Sequence, residues 1–176
     1  TEIGGTTGDI EGLPFLEALR QFKDEIGAEN VAFIHTTLVP FIQAAEELKT
    51  KPTQQSVAKL REIGIAPDVI LCRAEHPIDL DVRRKIAMFC NVRPEAVIPF
   101  LDVKGTIYRA PLNLHDQHLD NIICERLGLV TSEPDLLEWR NMVDRIVNPT
   151  HSVKIGVVGK YIDLKDAYKS IYESLT

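Results

Sequence analysis

Cysteine, long apolar runs and an excess of positive charge are all scarce or missing in this sequence. Its three cysteines, Cys72, Cys90 and Cys124, stand far apart without a C-x-x-C pair. This spacing excludes a disulfide framework and indicates reduced core thiols in a cytoplasmic protein. No window holds about 18 uninterrupted apolar residues, so we expect no membrane span, and no secretory signal peptide is visible.

The balance of charges argues against one broad class of partner. Against 20 Lys and Arg stand 26 Asp and Glu, and the net charge of −6 disfavours general nucleic-acid binding. A local basic pocket for a phosphorylated small molecule remains compatible with it. The 176 residues, 44% of them hydrophobic, suffice for one packed domain, or for one domain and a piece of another. Because the chain opens without Met inside a glycine-rich stretch, we interpret it as a fragment without an amino-terminal phosphate loop.

The first twelve residues have the most distinctive local composition. Four glycines there leave the backbone free to approach a ligand, and Glu2, Asp9 and Glu11 supply three carboxylates. An apolar helical pattern follows at once, with Pro14 in its first turn. A glycine-rich loop that leads into a helix is typical of an anion site, and its carboxylates would suit Mg²⁺ on a nucleotide phosphate. An ordinary solvated Gly/Asp turn fits the pattern equally well.

A second polar segment, residues 46–56, contains two lysines two positions apart. Pro52 favours extended geometry at the residue before it, so Lys49 and Lys51 are expected to point the same way. Thr53 is predicted to be the N-cap of the helix that follows. Two ammonium groups ahead of a helix N-terminus form a phosphate-binding arrangement. A solvated charged loop is the alternative, which these residues alone slightly favour.

Apolar runs that alternate with helical patterns predict the fold class. The predicted strands are 31–39, which we expect to be buried on both faces, 68–72 and 96–101; the predicted helices are 13–26, 54–63, 80–90 and 112–127. This alternation predicts an α/β fold, with right-handed βαβ units in a parallel, three-layer, Rossmann-like domain. Ligands gather at the carboxyl ends of such strands, which would put Arg73 at the rim of the site. A structural salt bridge is an equal alternative for Arg73.

The rhythm breaks twice after residue 130. Segments 131–134 and 148–151 flank a predicted helix over 135–147, and we interpret 131–152 as a linker. A strand and turn over 153–161, with a helix over 166–175, then begin a second α/β unit. Gly159 and Lys160 superficially suggest a Walker loop, but Tyr161 stands where Ser or Thr is needed, so we reject that motif.

The remaining candidate groups suit phosphate chemistry better than metal or covalent catalysis. His115 and His118 are the closest histidine pair and have no cysteine nearby, so a surface role is expected rather than zinc binding. No cysteine lies in a nucleophile context, and we assign no catalytic residue to this chain. The acidic loop, the two lysines, Arg73 and Lys85 suit phosphoryl transfer, which depends on positioning and charge neutralisation.

Four strings, in one order along the whole chain, resemble the CTP synthase family. They are Glu2–Gln21, Lys49–Gln54, Lys85–Val92, and Val158–Tyr161 with Asp166–Ser170. The resemblance implies that residues 1–130 are the rear part of a P-loop amidoligase (synthetase) domain. It implies an interdomain helical linker over 131–152. Over 153–176 it implies the first strand and helix of a class I glutamine amidotransferase domain.

The resemblance also implies an activity. Members of the family make CTP from UTP: ATP phosphorylates the pyrimidine O4, and ammonia released from glutamine displaces that phosphate. GTP stimulates glutamine hydrolysis, Mg²⁺ takes part, and CTP inhibits by competing with UTP. The family forms homotetramers promoted by nucleotides, and filament formation is an open question.

Site residues follow from the resemblance motif by motif. Glu2 looks like a Mg²⁺ ligand. Asp9, Ile10 and Glu11 resemble the family segment that lines the pyrimidine nucleotide site. A further set of residues resembles those that contact the triphosphate and base of UTP or CTP: Lys49, Thr50, Lys51, Pro52, Thr53, Gln54 and Lys85. Phe89 would stack nearby. Asp102 and Val103 resemble the family loop whose backbone contacts the adenine of ATP, and Arg73 would lie close by.

Two departures from the family pattern limit what these residues can do by themselves. The phosphate loop with its catalytic lysine and second Mg²⁺-binding Asp, and the glutaminase Cys-His-Glu triad, have no counterpart in the sequence. We therefore expect this polypeptide by itself to be inactive. A non-catalytic pyrimidine-nucleotide-binding or assembly module is the alternative. A dethiobiotin synthetase-type amidoligase fits less well, because it lacks the Lys-Thr-Lys-Pro-Thr-Gln string. We expect the acidic loop and the two lysines to face one shared hollow.

Overall fold

The computed structural model describes residues 1–175, in which five strands and seven α-helices follow the polar and apolar patterns of the sequence. In chain order the elements are α1 (Leu13–Ile26), β1 (Ile34–Leu38), β2 (Phe41–Ile42), β3 (Glu47–Leu48), α2 (Lys51–Glu62), β4 (Val69–Ala74), α3 (Leu80–Cys90), β5 (Val97–Leu101), α4 (Ala110–His115), α5 (Leu119–Arg126), α6 (Leu137–Val147) and α7 (Lys169–Ser174). None of the helices within residues 1–175 has both the length and the apolar character needed to cross a membrane.

The main sheet has three parallel strands in the order β1-β4-β5. Cys72 of β4 lies opposite Thr37 of β1 on one side and opposite Pro99 of β5 on the other. Proline cannot donate to a strand ladder, and its place in β5 agrees with the position of that strand at an edge of the sheet. Strands β2 and β3 form a separate antiparallel hairpin between β1 and α2.

Helices cover both faces of the sheet, because successive residues of a strand point to opposite sides. On one face Ile70 and Cys72 of β4 pack with side chains from α2 and α3. On the other face Val69 of β4 and Ile98 of β5 pack with side chains from α4 and α5. The predicted α/β fold with a parallel sheet in three layers is therefore confirmed.

Two of the three cysteines belong to this core. Cys72 and Cys90 are buried free thiols, and Cys124 is partly buried. Burial raises the pKa of the Cys72 thiol to about 12, and burial raises the pKa of Cys90 as well. A thiol that stays protonated is a poor nucleophile and a poor metal ligand. Cys72 and Cys90 therefore act as packing residues, as predicted.

The first strand differs from its prediction in burial. Only the side chains that face α2, such as Thr37, are covered, whereas Ile34 is 43% exposed and Leu38 is 58% exposed. Burial on both faces was the wrong prediction, because β1 is an edge strand and only one of its faces carries a helix within the described residues. An unbroken apolar run does not distinguish this position from a central one.

Two helix boundaries also differ from the predictions. Helix α2 begins at Lys51, so Lys51 is helical rather than extended and Thr53 is not the N-cap. The missing N–H of Pro52 is tolerated there because the first turn of a helix leaves its N–H groups unpaired anyway. The predicted helix over 112–127 is divided into α4 and α5 at His118, which has a left-handed backbone with φ of 60°.

The strand predicted over 153–161 does not form. Residues 152–159 have no regular structure, and the side chains of Val153 and Val158 are 81% and 99% exposed. A strand needs a neighbour to pair its N–H and C=O groups, and none of the described strands lies beside this segment. Helix α7 is shorter than predicted, since a 3-10 turn occupies Lys165–Tyr168. The assignment of 153–176 to a second domain stays a prediction.

The start of α3 has a side-chain cap whose contribution can be measured. Asp79 Oδ1 accepts a hydrogen bond from the Val82 backbone N–H at 2.8 Å. We expect Asp79→Ala to lower the free energy of unfolding by about 1 kcal/mol, measured by urea denaturation. The control is Asp81→Ala, which removes an exposed carboxylate from the same turn and should cost less than half as much. Equal losses in the two variants would contradict the cap.

Candidate functional site

Two residues expected at the ATP site meet where β4 and β5 end. Arg73 Nε donates to Asp102 Oδ1 at 2.9 Å, and both side chains are exposed. Arg73 therefore lies at the rim of the sheet and also forms the salt bridge that was its alternative role. An exposed pair of this kind contributes little to stability, so the arrangement leaves both groups available to a ligand. Val103 follows directly, half-buried, on the same loop.

The hairpin β2–β3 brings Lys49 close to the carboxyl end of β1. Its two strands pair Phe41 with Leu48, and Lys49 N donates to Pro40 O at 2.9 Å, which closes the hairpin at its base. Because Pro40 follows β1 by two residues, Lys49 is held beside the end of that strand. The start of α2 follows at once, so Lys49 and Lys51 both lie at this end of α2.

Two lysines that are far apart in the sequence affect the pKa of Glu47. Its carboxylate accepts a hydrogen bond from Lys49 Nζ. That bond and the charge of Lys49 lower the pKa of Glu47, and the charge of Lys85 on α3 adds to the effect. Lys49 is therefore bound to Glu47, and the charge of Lys85 acts on the same carboxylate; that the two lysines belong to one site stays a prediction. Sequence reasoning missed Glu47, although an acid two residues before a lysine is a visible signal.

The first turn of α2 presents some of its predicted contacts to solvent and turns others inward. Lys51 and Pro52 are exposed, whereas Thr50 is 4% exposed. Gln54 Nε2 donates to Thr50 Oγ1 at 3.0 Å, so these two side chains hold each other. On α3, Lys85 and Phe89 lie one turn apart and are both exposed, so they share one face of the helix.

Thr53 serves the packing of α2 rather than its exposed surface. Its side chain is fully buried, with Oγ1 at 3.0 Å from Thr37 Oγ1 and at 3.4 Å from the Leu38 carbonyl oxygen, to which it donates. One turn further along α2, Ser56 Oγ lies 2.8 Å from His35 Nε2. We call these four side chains the polar seam: His35, Thr37, Thr53 and Ser56. The predicted Thr53 contact with a nucleotide can therefore come only from its backbone.

The acidic loop is closed by its own carboxylate. Thr6 N donates to Asp9 Oδ2 at 2.9 Å, and Asp9 N donates to Thr6 O at 2.9 Å. Gly8 lies against Lys59, since a Cβ at this glycine would be 3.1 Å from Lys59 Cγ. Lys59 is eight residues after Lys51, which is roughly 12 Å along the helix axis. The loop therefore contacts the second half of α2, while Ile10 is 83% exposed.

Two surface hollows of the structure lie away from these residues. One, of about 430 Å³, is lined by Asp68, Arg93 and Arg126 among others, at the amino end of β4. A second of the same volume lies between Tyr108, α6 and α7. No predicted site residue lines either one. The expected hollow shared by the acidic loop and the lysines finds no support within residues 1–175, because Gly8 packs the loop against Lys59 instead.

The acidic loop can supply one ligand to a magnesium ion carried by a nucleotide. Within residues 1–175 no three His, Cys, Asp or Glu side chains form a metal-holding group. Mg²⁺ commonly takes one or two protein carboxylates and fills its other positions with phosphate oxygens and water. Glu2 is exposed and forms no ion pair within the described residues. Its carboxylate fits that demand, and Asp9 keeps one oxygen free.

The polar seam predicts a pH dependence of stability. Burial lowers the pKa of His35 below its ordinary value of about 6.5. As pH falls, the unfolded chain therefore takes up this proton first, so stability is full above about pH 6.5 and is lost as pH falls towards the lowered pKa. We expect the melting temperature to fall between about pH 7 and pH 5, and His35→Gln, which cannot titrate, to flatten the profile. Superimposable profiles for the two proteins would contradict this role.

Comparison with known proteins identifies the family of the chain. Residues 1–129 match the family described as "CTP synthase N-terminus". The protein named CTP synthase from Methanocaldococcus jannaschii is 58% identical over 174 residues, which cover 99% of this chain and 32% of that protein. The CTP synthase of Symbiobacterium thermophilum is 57% identical over 175 residues, which cover 99% of this chain and 32% of that protein. The CTP synthase of Streptococcus agalactiae is 53% identical over 175 residues, which cover 99% of this chain and 33% of that protein. The chain thus spans about a third of the length of these relatives, and it belongs to the CTP synthase family.

Proposed function

We propose that the protein to which this chain belongs aminates UTP to CTP, with ATP and with ammonia taken from glutamine. In this proposal the lysines around the start of α2 hold the triphosphate of UTP, or of CTP when CTP acts as feedback inhibitor. The names of the relatives support the reaction. The observation that carries the proposed site is that Lys49 binds Glu47 and the charge of Lys85 acts on the same carboxylate, beside the exposed start of α2.

The charges at this place suit a triphosphate. Lys49, Lys51 and Lys85 supply three ammonium groups, and the amino end of α2 adds the positive end of its dipole. The pair between Lys49 and Glu47 is exposed, with side chains 44% and 55% accessible, so it is held weakly. A phosphate oxygen forms stronger charge-assisted hydrogen bonds with an ammonium group and can replace the carboxylate. Phe89, 51% exposed and one turn from Lys85, is placed to contact the base or ribose.

The second nucleotide is proposed to bind where β4 and β5 end. The backbone of Asp102 and Val103 would face the adenine of ATP, and Arg73 would meet its charged groups. Glu2 would hold Mg²⁺, which supplies charge neutralisation at the phosphates when it is bound. GTP as activator and glutamine as ammonia source belong to the same proposal. The domain boundaries at 130 and 152 are part of it as well.

Assembly and location complete the proposal. Within residues 1–175 the acidic loop contacts the second half of α2, and neither this loop nor Lys49 lines the two hollows described above. A homotetramer, in which a second copy brings Asp9, Ile10 and Glu11 to the lysines, would join the two halves of the pyrimidine site. The proposed location is the cytoplasm. The 176 residues by themselves are expected to form no CTP, because their sequence contains neither the family's phosphate loop nor its glutaminase triad.

Substitution of the lysines tests this proposal. In the intact protein, Lys49→Ala and Lys85→Ala should each weaken the binding of UTP and the binding of CTP by about tenfold. The two affinities should fall together because both nucleotides present the same triphosphate. Isothermal titration measures both affinities. Arg84→Ala removes an exposed charge beside Lys85 and should leave them unchanged.

A further substitution separates the lysine from its present partner. Glu47→Gln frees the Lys49 ammonium group and should leave nucleotide affinity equal or higher. Wild-type affinity in both lysine variants would remove them from the site. An intact protein that binds UTP without converting it, given ATP and ammonia, would favour the non-catalytic binding or assembly module instead.

A further inference from the structure

Helix α6 lies on the loop that follows β5. Trp139 Nε1 donates to the backbone oxygen of Tyr108 at 2.8 Å. The two rings also meet edge to face, with centroids 6.2 Å apart and planes inclined at 65°. An indole N–H that is bound to a main-chain oxygen fixes the path of the backbone as well as the position of a side chain.

The same face of α6 reaches the loop at a second point. Gly105 has a left-handed backbone with φ of 87°, and a Cβ there would lie 3.2 Å from Val147 Cγ2. Trp139, Val143 and Val147 are spaced by four residues, so they share one side of the helix. Val143, between the two contacts, is 4% exposed. One face of α6 therefore contacts the loop at Gly105 and again at Tyr108.

The loop is also held at its other end. Asp102 is paired with Arg73 at 2.9 Å, and the residue before it, Leu101, is in register with Ala74 of β4. Between these anchors, Thr106 is 9% exposed and its Oγ1 accepts a hydrogen bond from Tyr108 N at 3.3 Å. The segment 102–104 thus lies between an anchor on the sheet and an anchor on α6.

Resting on the proposed function, we propose that Trp139 and Val147 are positioning residues for the ATP site. They hold the 102–108 loop in the shape that offers the Asp102 and Val103 backbone to the adenine. Neither residue has to touch the nucleotide. Because α6 lies within the predicted linker over 131–152, a displacement of that segment is transmitted to the ATP loop and not to the lysines around Glu47.

The test separates the two nucleotides in the intact protein. Trp139→Phe keeps an aromatic ring but removes the N–H donor, and Val147→Ala removes the contact with Gly105. We expect each variant to raise the KM for ATP about three- to tenfold, and to change the KM for UTP less than about twofold. The matched control is Glu138→Gln, exposed on the same helix, which should change neither constant.

Three outcomes overturn the inference. KM values for both nucleotides that rise together, with a lower melting temperature, would show a structural role only. A wild-type KM for ATP in both variants would show that the contacts do not position the loop. A wild-type protein that does not use ATP to convert UTP would remove the proposed function itself, and this inference with it. Normal ATP use by the wild type, with unchanged variants, removes the inference alone.

Discussion

The packing of α2 on β1 is the constraint on which the proposed pyrimidine site depends. A strand with a purely apolar face could pack against a helix in several registers. The hydrogen bonds of the polar seam can form in only one register of α2 on β1. His35 meets Ser56 and Thr37 meets Thr53, at 2.8 and 3.0 Å, so residues two apart on the strand match residues three apart on the helix. A shift of either element would leave buried polar groups unpaired, which costs about 1–3 kcal/mol for each group. The start of α2, with Lys51, is thereby fixed against the end of β1.

The proposed pyrimidine site is built from segments that are far apart in the sequence. Lys49 is carried by the β2–β3 hairpin, where it pairs with Glu47, and the charge of Lys85 on α3 acts on the same carboxylate. The carboxylate reduces the repulsion between two ammonium groups in the free protein and can be displaced by phosphate, which carries more negative charge. At the neighbouring strand ends, the pair of Arg73 with Asp102 and the cover provided by α6 define a second position. The two positions lie at the carboxyl edge of one sheet, the edge at which parallel α/β folds bind ligands.

Local pattern predicted most of the elements, and tertiary context decided where it failed. The segment that became α3 was predicted at its observed bounds, and the structure shows that Asp79 caps it. The burial of β1 and the break at His118 depend on neighbours that a single segment does not reveal. The strand expected at 153–161 has residues typical of a strand, but none of the strands within residues 1–175 pairs with it. For the site, lysine spacing indicated Lys49 and Lys51, whereas the inward turn of Thr53 and the part played by Glu47 depend on how α2 and the hairpin are packed.

The central claim is that the cluster of Lys49, Lys51 and Lys85 is the triphosphate site of a pyrimidine nucleotide. A crystal structure of the intact protein with UTP and Mg²⁺ tests it most directly. The account predicts phosphate oxygens within hydrogen-bond distance of Lys49 Nζ and Lys85 Nζ, with Lys49 released from Glu47. A nucleotide bound at the opposite end of the sheet, in the hollow lined by Asp68 and Arg126, with Lys49 still paired to Glu47, would contradict it.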